Sequence, residues 1–137
     1  MEPIILDITI LKPVEKVWEY FTDPKHITKW NFAHETWHCP KAESDFREGG
    51  KFVYRMEAKD GSFGFDYTGT FQEIVPNVLI RYVLDDGREV EVRFNKVDDS
   101  TTEIVETFEP EKQNSREMQR DGWYGILNNF HKYAENH

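Results

Sequence analysis

The stretch Asn114–His137, NSREMQRDGWYGILNNFHKYAENH, decides the fold. Its apolar side chains recur at steps of three and four, which indicates a helix with one apolar stripe. Asn114 is the predicted helix cap, and Glu117 follows three residues later, as in a capping box. Such a helix must cover an apolar surface. The stripe consists of Trp123, Ile126, Leu127, Phe130 and Ala134, with Met118 and Tyr133 near its edges.

The middle of the chain predicts that surface. From residue 49 to residue 108, apolar and polar side chains alternate, as in strands with one buried face. Short turns between consecutive strands indicate an antiparallel meander. The turn signals are Gly49-Gly50, Asp60-Gly61, Pro76-Asn77, Asp86-Gly87 and Asp98-Asp99-Ser100.

The first part of the chain adds a strand and two short helices. Ile4–Leu11 is a β-rich run, and apolar residues at helical spacing follow in Pro13–Thr22. Asp23-Pro24 ends that helix and starts a second one, with Ile27 and Trp30 facing inward.

A further strand and the element order complete the predicted architecture. Thr36–Pro40 predicts a strand at an edge or a strand end, because proline lacks the N–H that a central strand needs. Residues 1–137 are therefore predicted to form a single α+β domain. Its order is one strand, two short helices, about six more strands and one long helix.

Composition excludes several partners. The formal net charge is −9, and phosphate binding depends on clustered positive charge, so neither nucleic acid nor an anionic membrane surface is expected. Cys39 is the single cysteine, so no internal disulfide can form. No apolar run approaches the roughly 20 residues of a membrane span, and the chain does not begin with a basic and apolar leader. A cytoplasmic protein is expected.

Three segments carry a family resemblance: FTDPKHITKWNF (21–32), GGKFVYRMEAKDGSFGFDYTGTFQEIVP (49–76) and TFEPEKQNSREMQRDGWYGILNNFHKY (107–133). Together they resemble stand-alone members of the family of heat-shock-protein-ninety ATPase activator homologues, within the START-like (SRPBCC) superfamily. The resemblance implies the helix-grip (START/pollen-allergen-like) fold. In that fold a curved antiparallel sheet wraps on the long C-terminal helix and leaves a cavity between them.

The resemblance also implies a range of functions. In the superfamily the cavity commonly holds lipids, sterols, polyketides or other apolar molecules, and a few relatives catalyse reactions there. The eukaryotic co-chaperones that name the family carry a further N-terminal domain. Because this chain starts at its first strand, the co-chaperone role is not expected to transfer with the family name.

The leading hypothesis is a cavity that binds an apolar small molecule. Aromatic residues make up 15% of the chain. In the predicted strands they occupy alternate positions and so share one face of the sheet, where they either fill a core or line a pocket. Trp30 and Trp37 are expected near the entrance, although a core plug beneath the two helices is an equal alternative. The candidate ligand-binding residues are Trp30, Trp37, Tyr54, Met56, Phe65, Tyr67, Tyr82, Glu106, Trp123, Ile126 and Leu127.

Glu106 is the ambiguous member of this set. It shares strand parity with Ile104 and Phe108, so it either faces the cavity or the strand is reversed, with Val105 inward. Of the two, the reversed strand is the expectation. An inward Glu106 would be partly desolvated and could orient a polar group of a ligand or act as a base.

His34–His38, HETWH, matches the zinc-protease motif H-E-x-x-H. The motif requires a helix, whereas Pro40 follows closely and the flanking residues show no helical stripe. Cys39 and His38 are neighbours on a predicted strand and point to opposite faces, so they are not expected to form a nucleophile and base. The sequence thus predicts no metal site, no cofactor and no catalytic residue.

Gly122 and Gly125 lie inside the predicted long helix, where each costs about 1 kcal/mol relative to alanine. Two explanations are open, and both can hold. One is close approach of the helix to a strand, and the other is space for a ligand beside Trp123.

Two alternatives to simple ligand binding remain. The first is an enzyme in the same cavity, with Glu106 or His38 as acid or base. The second is a chaperone-linked protein of the stress response. A homodimer is also conceivable, because open sheets have edges to protect.

Overall fold

Seven antiparallel strands form one curved sheet around the C-terminal helix. A computed structural model describes residues 2–137. This arrangement confirms the predicted α+β architecture, with two short helices after the first strand and six strands before the long helix. The elements are β1 (Ile4–Ile10), α1 (Val14–Thr22), α2 (Pro24–Trp30), β2 (Trp37–Ser44), β3 (Lys51–Ala58), β4 (Gly64–Val75), β5 (Leu79–Leu84), β6 (Glu89–Asp98), β7 (Thr101–Phe108) and α3 (Arg116–Glu135).

The strand order is β1-β7-β6-β5-β4-β3-β2. Strands β2 to β7 form the predicted meander. The first strand instead pairs with the last one, from Ile4 opposite Phe108 to Ile10 opposite Thr102. Local patterns do not predict this long-range pairing, which brings the start of the chain against α3.

Strand β2 is an edge strand, as Pro40 predicted, but it continues to Ser44 instead of ending at the proline. The pairing of β2 with β3 shifts register between His38 and Lys41, around Pro40. A bulge at this point lets the strand pass a residue that cannot donate to the ladder.

Helix α3 begins one residue later than predicted. Ser115, not Asn114, is the cap: its backbone is extended, and its hydroxyl accepts a hydrogen bond from the Met118 N–H at 3.1 Å. Both residue types cap helices well, so backbone geometry decided between them. Glu117 lies in the first turn, where its charge favours the helix dipole.

Helices α1 and α2 form an elbow against the C-terminal half of α3. Ile27 and Trp30 are buried, as predicted. The indole N–H of Trp30 donates to the Tyr20 carbonyl at 2.9 Å, and its ring meets Phe130 edge-on at 4.8 Å between centroids. Within residues 2–137, no helix combines the length and the apolarity needed to cross a membrane.

Candidate functional site

A cavity of about 300 Å³ lies between the sheet and the N-terminal half of α3. Strands β3, β4, β5 and β7 supply the sheet wall, and α3 supplies the opposite wall. The lining is mainly aromatic and aliphatic. It comprises Phe21, Thr22, Trp30, Asn31, Phe46, Phe52, Tyr54, Met56, Phe65, Tyr67, Phe71, Ile80, Tyr82, Arg88, Glu106, Glu111, Asn114, Gln119, Trp123, Ile126 and Leu127.

Rings that pack on one another hold the cavity walls in place. Phe52 meets Tyr82 edge-on at 5.0 Å between centroids, and Trp123 stacks on Phe108 at 3.9 Å. The Phe52 ring lies over Gly69, where an added Cβ would come within 2.8 Å of it. The missing side chain in β4 therefore makes room for the ring that forms the cavity floor.

Three tyrosines face the cavity. Tyr54, Tyr67 and Tyr82 retain accessible surface although they lie inside the fold. The hydroxyls of Tyr67 and Tyr82 hydrogen-bond each other at 2.8 Å. Burial raises the pKa of all three phenols, so they stay neutral at physiological pH.

Glu106 faces the cavity, so the expectation of a reversed strand with Val105 inward is wrong. Ile104 and Phe108 are fully buried, and Glu106, on the same side of β7, is 7% exposed. The pairing of β7 with both β1 and β6 fixes this orientation. Desolvation raises the pKa of the Glu106 carboxyl to about 8, so the neutral acid predominates at pH 7.

Comparison with known proteins identifies the family. The sequence model of the family described as "Activator of Hsp90 ATPase homolog 1-like protein" matches residues 12–135. The chain belongs to this family. This confirms the predicted membership, and no curated protein sequence matches the chain.

Solved structures of similar proteins confirm the helix-grip fold. An AHSA1-like protein from Aeromonas hydrophila is 40% identical, with 97% of this chain and 93% of that chain covered and a TM-score of 0.88. Chr148 from Cytophaga hutchinsonii is 46% identical, with 98% and 92% covered and a TM-score of 0.84. CV1439 from Chromobacterium violaceum, at 21% identity, shares the fold over 98% of this chain and 99% of that chain, with a TM-score of 0.84. This is a fold of ligand-binding domains.

Within this family fold, ten of the eleven candidate ligand-binding residues line one cavity. Trp37 is the exception. Its ring packs beside Phe63 and Phe65, at centroid distances of 6.0 and 6.1 Å, outside the cavity lining. Trp30 is buried against Phe130 and contributes to a wall, which favours the alternative of a core plug beneath the two helices over a place near the entrance. Whether these residues bind a ligand stays a prediction.

Several lining residues were absent from the candidate set. Phe52, Phe71 and Ile80 share the inward parity of their strands, and that signal could have added them. Arg88 and Gln119 lie in a turn and on a helix face, and no local pattern directs them towards the cavity.

His38 is separated from the cavity. Its side chain is half-exposed and pairs with Glu57 at 3.5 Å on the neighbouring strand. Residues 34–36 form a bend and a turn that lead into β2, so the zinc-protease match does not lie on a helix. Among residues 2–137, His, Cys, Asp and Glu side chains form no group of three that could hold a metal ion. Cys39 is buried, and desolvation raises the pKa of its thiol.

The two helix glycines have different surroundings. A Cβ at Gly125 would lie 3.2 Å from the Ala33 Cβ, so α3 approaches the loop after α2 and not a strand. A Cβ at Gly122 would meet nothing within 4 Å. Neither glycine lines the cavity, so the expectation that they make room for a ligand beside Trp123 is not supported.

Proposed function

We propose that this protein binds a compact hydrophobic molecule in the cavity between its sheet and α3. The observation that carries this proposal is the volume of about 300 Å³ that the protein's own rings line without filling. Closely packed interiors rarely leave a void of this size, because each missing contact costs dispersion energy. Aromatic walls with few polar groups are typical of ligand pockets.

The size of the cavity narrows the ligand class. An engineered cavity of about 150 Å³ accepts benzene, and the pockets of drug-sized ligands begin at about 300 Å³. The cavity therefore suits a molecule of two or three fused rings, or a short branched hydrocarbon. A long-chain lipid would have to extend out of it.

Native mass spectrometry after mild purification, with a thermal-shift screen of bicyclic aromatics, polyketides, sterols and fatty acids, tests the proposal. We expect a bound compound or a raised melting temperature with the compact ring compounds. Ile126→Trp places an indole in the cavity and should abolish the response. Met118→Trp, at a position on α3 that is 63% exposed, is the matched control and should retain it. A screen without any ligand would overturn the proposal.

An enzyme acting in the same cavity is a second candidate, favoured by the buried Glu106 with its raised pKa. His38 is no longer part of it, because its side chain lies outside the cavity lining. Turnover at Glu106 predicts that Glu106→Gln co-purifies with a compound of different mass from that bound to the wild type. The same mass in both proteins would count against catalysis.

Three further expectations stay predictions. A chaperone-linked role predicts stimulation of a chaperone ATPase, which an ATPase assay with purified components measures. A homodimer predicts twice the monomer mass in analytical ultracentrifugation. A cytoplasmic location predicts that the protein appears in the cytosolic fraction of lysed cells.

A further inference from the structure

Glu106 is the one carboxyl group aimed into the cavity from the sheet that has no partner. Within residues 2–137, no donor is hydrogen-bonded to its side chain, and desolvation alone accounts for its raised pKa. Glu106 as a whole is 7% exposed, and it is one of the residues that line the cavity. An unpaired polar group in an apolar pocket is costly, and this cost falls when a ligand supplies the missing hydrogen bond.

Other polar groups of the lining are already engaged by the protein. Gln119 accepts from the Glu111 N–H at 2.8 Å and donates to the Glu111 and Asn114 carbonyls at 3.1 and 2.8 Å. Asn31 donates to the Met56 sulfur at 3.3 Å, and the Arg88 Nε donates to Asp86 at 2.8 Å. Each of these side chains makes a hydrogen bond within the protein, whereas Glu106 makes none to any of residues 2–137.

The Tyr67–Tyr82 pair is the natural companion of Glu106. Two hydroxyls that hydrogen-bond each other use one proton between them, so the second proton stays free to donate. Both phenols feel the charge of Glu106, which further raises their pKa, so the three groups lie within electrostatic reach. A neutral carboxylic acid and a tyrosine hydroxyl can donate together to one ligand oxygen, as in the oxyanion hole of ketosteroid isomerase.

We infer that Glu106 and the Tyr67–Tyr82 hydroxyl pair form a polar end of the cavity that selects ring compounds carrying one hydroxyl or carbonyl oxygen over the corresponding hydrocarbon. This inference rests on the proposed ligand-binding function and names the ligand class. The rings of the wall hold the hydrocarbon part, and the three polar groups hold the oxygen.

A matched pair of probes, 2-naphthol and naphthalene, tests the inference by calorimetry or competitive fluorescence at pH 6. The two differ by one hydroxyl, and an apolar cavity would favour the more hydrophobic naphthalene. We expect the wild type to bind 2-naphthol roughly ten- to hundredfold more tightly, the range of one buried hydrogen bond. Glu106→Leu should reduce or reverse this ratio, and Tyr82→Phe should reduce it.

Two variants control for structural effects. Glu106→Gln keeps a donor and an acceptor at the same place and should preserve most of the preference. Glu103→Gln changes a carboxyl of the same strand that points away from the cavity and pairs with Asn95, so its ratio should equal that of the wild type. Circular dichroism confirms that each variant is folded.

The outcomes separate this inference from the proposed function. If the wild type binds both probes but prefers naphthalene, or if Glu106→Leu keeps the wild-type ratio, the polar end is refuted and hydrophobic binding stands. If neither probe binds to the wild type, the inference fails, and the wider thermal-shift screen decides whether the proposed function fails with it.

Discussion

The two halves of α3 have different surroundings: the C-terminal half packs in a filled core, and the N-terminal half borders the cavity. Towards its C-terminal end lies the packed half, where Ile10, Val17, Ile104, Phe130 and Ala134 are fully buried. Towards its N-terminal end lies the hollow half, where Trp123 and Ile126 face the cavity across from the tyrosines of β3, β4 and β5. One apolar stripe on one helix thus covers a solid core and a void.

The difference comes from what the helix meets. In the packed half, β1, α1 and α2 lie directly against α3 and bring aliphatic and aromatic side chains into contact with it. In the hollow half, tyrosines and Glu106 point inward from the sheet, and their polar ends resist tight apolar packing. The apolar face of α3 is therefore not enough to ensure close packing, because the side chains on the opposite surface also decide whether the space is filled.

The largest expected loss of stability distinguishes the two halves of α3. Phe130→Ala should destabilise the protein by about 3–5 kcal/mol, because it opens a new cavity in the packed half. Ile126→Ala should cost about 1–2 kcal/mol, since a half-buried side chain beside an existing void loses fewer contacts. Urea denaturation of both variants measures the difference. Equal costs would break the distinction between the halves.

The contribution of Glu106, in the hollow half, to the free energy of unfolding should depend on pH. Its pKa is about 8 in the fold and 4.5 when unperturbed, so between these values the folded state binds more protons than the unfolded state. The free energy of unfolding should therefore fall as pH rises from 4.5 to 8 and change no further above that. Glu106→Gln should be nearly as stable as the wild type at pH 4. At pH 9 it should be more stable by about 4–5 kcal/mol, because the pKa rises from 4.5 to about 8 and each unit corresponds to about 1.4 kcal/mol.

Denaturation curves of both proteins from pH 4 to pH 9 check this prediction. Other groups titrate in both proteins and cancel in the difference. The ionisable groups that share the cavity with Glu106 are Tyr54, Tyr67, Tyr82, Arg88 and Glu111, and burial keeps the three phenols neutral over this range. A constant difference across the range would show that Glu106 is solvated.

The start of α3, at the hollow end, should be sensitive to its cap. Ser115→Ala should cost about 1 kcal/mol, because the Met118 N–H loses its acceptor. Asn114→Ala removes a residue of similar capping propensity that does not cap this helix, so it should cost less. Thermal melts followed by circular dichroism compare the two. The reverse ranking would restore Asn114 as the cap.

The smallest expected change in stability comes from replacing the two glycines inside α3. Gly122→Ala should stabilise the protein by up to about 1 kcal/mol, because alanine favours the helix and its Cβ meets nothing within 4 Å. Gly125→Ala makes the same change against Ala33 and should gain little or lose stability. Midpoints of denaturation in urea would resolve this difference, and a matching gain at Gly125 would mean that the loop yields readily.

Most of the fold was predictable because its signals are local. Alternation placed β3 to β7, turn residues separated them, and helical spacing placed α1, α2 and the stripe of α3. Strand parity and the stripe of α3 supplied eight of the ten candidates that line the cavity; Trp30 came from the spacing in α2, and the orientation of Glu106 was predicted wrongly. The prediction for Trp37 was wrong because this residue pairs with Ala58 at the far end of β3, where its ring packs beside Phe63 and Phe65 instead of lining the cavity. The predicted cap was wrong because Asn114 and Ser115 are equivalent in local preference.

The sequence by itself determined which faces of the elements are apolar and where the chain turns between β3 and β7, since these depend on neighbours within a few positions. Only the tertiary structure decided that β1 joins β7, that this pairing turns Glu106 inward, and that the rings line a volume of about 300 Å³ without filling it. The physical reason is that register and packing are set between residues about a hundred positions apart. No local pattern of side chains records how much space remains between two surfaces once they meet.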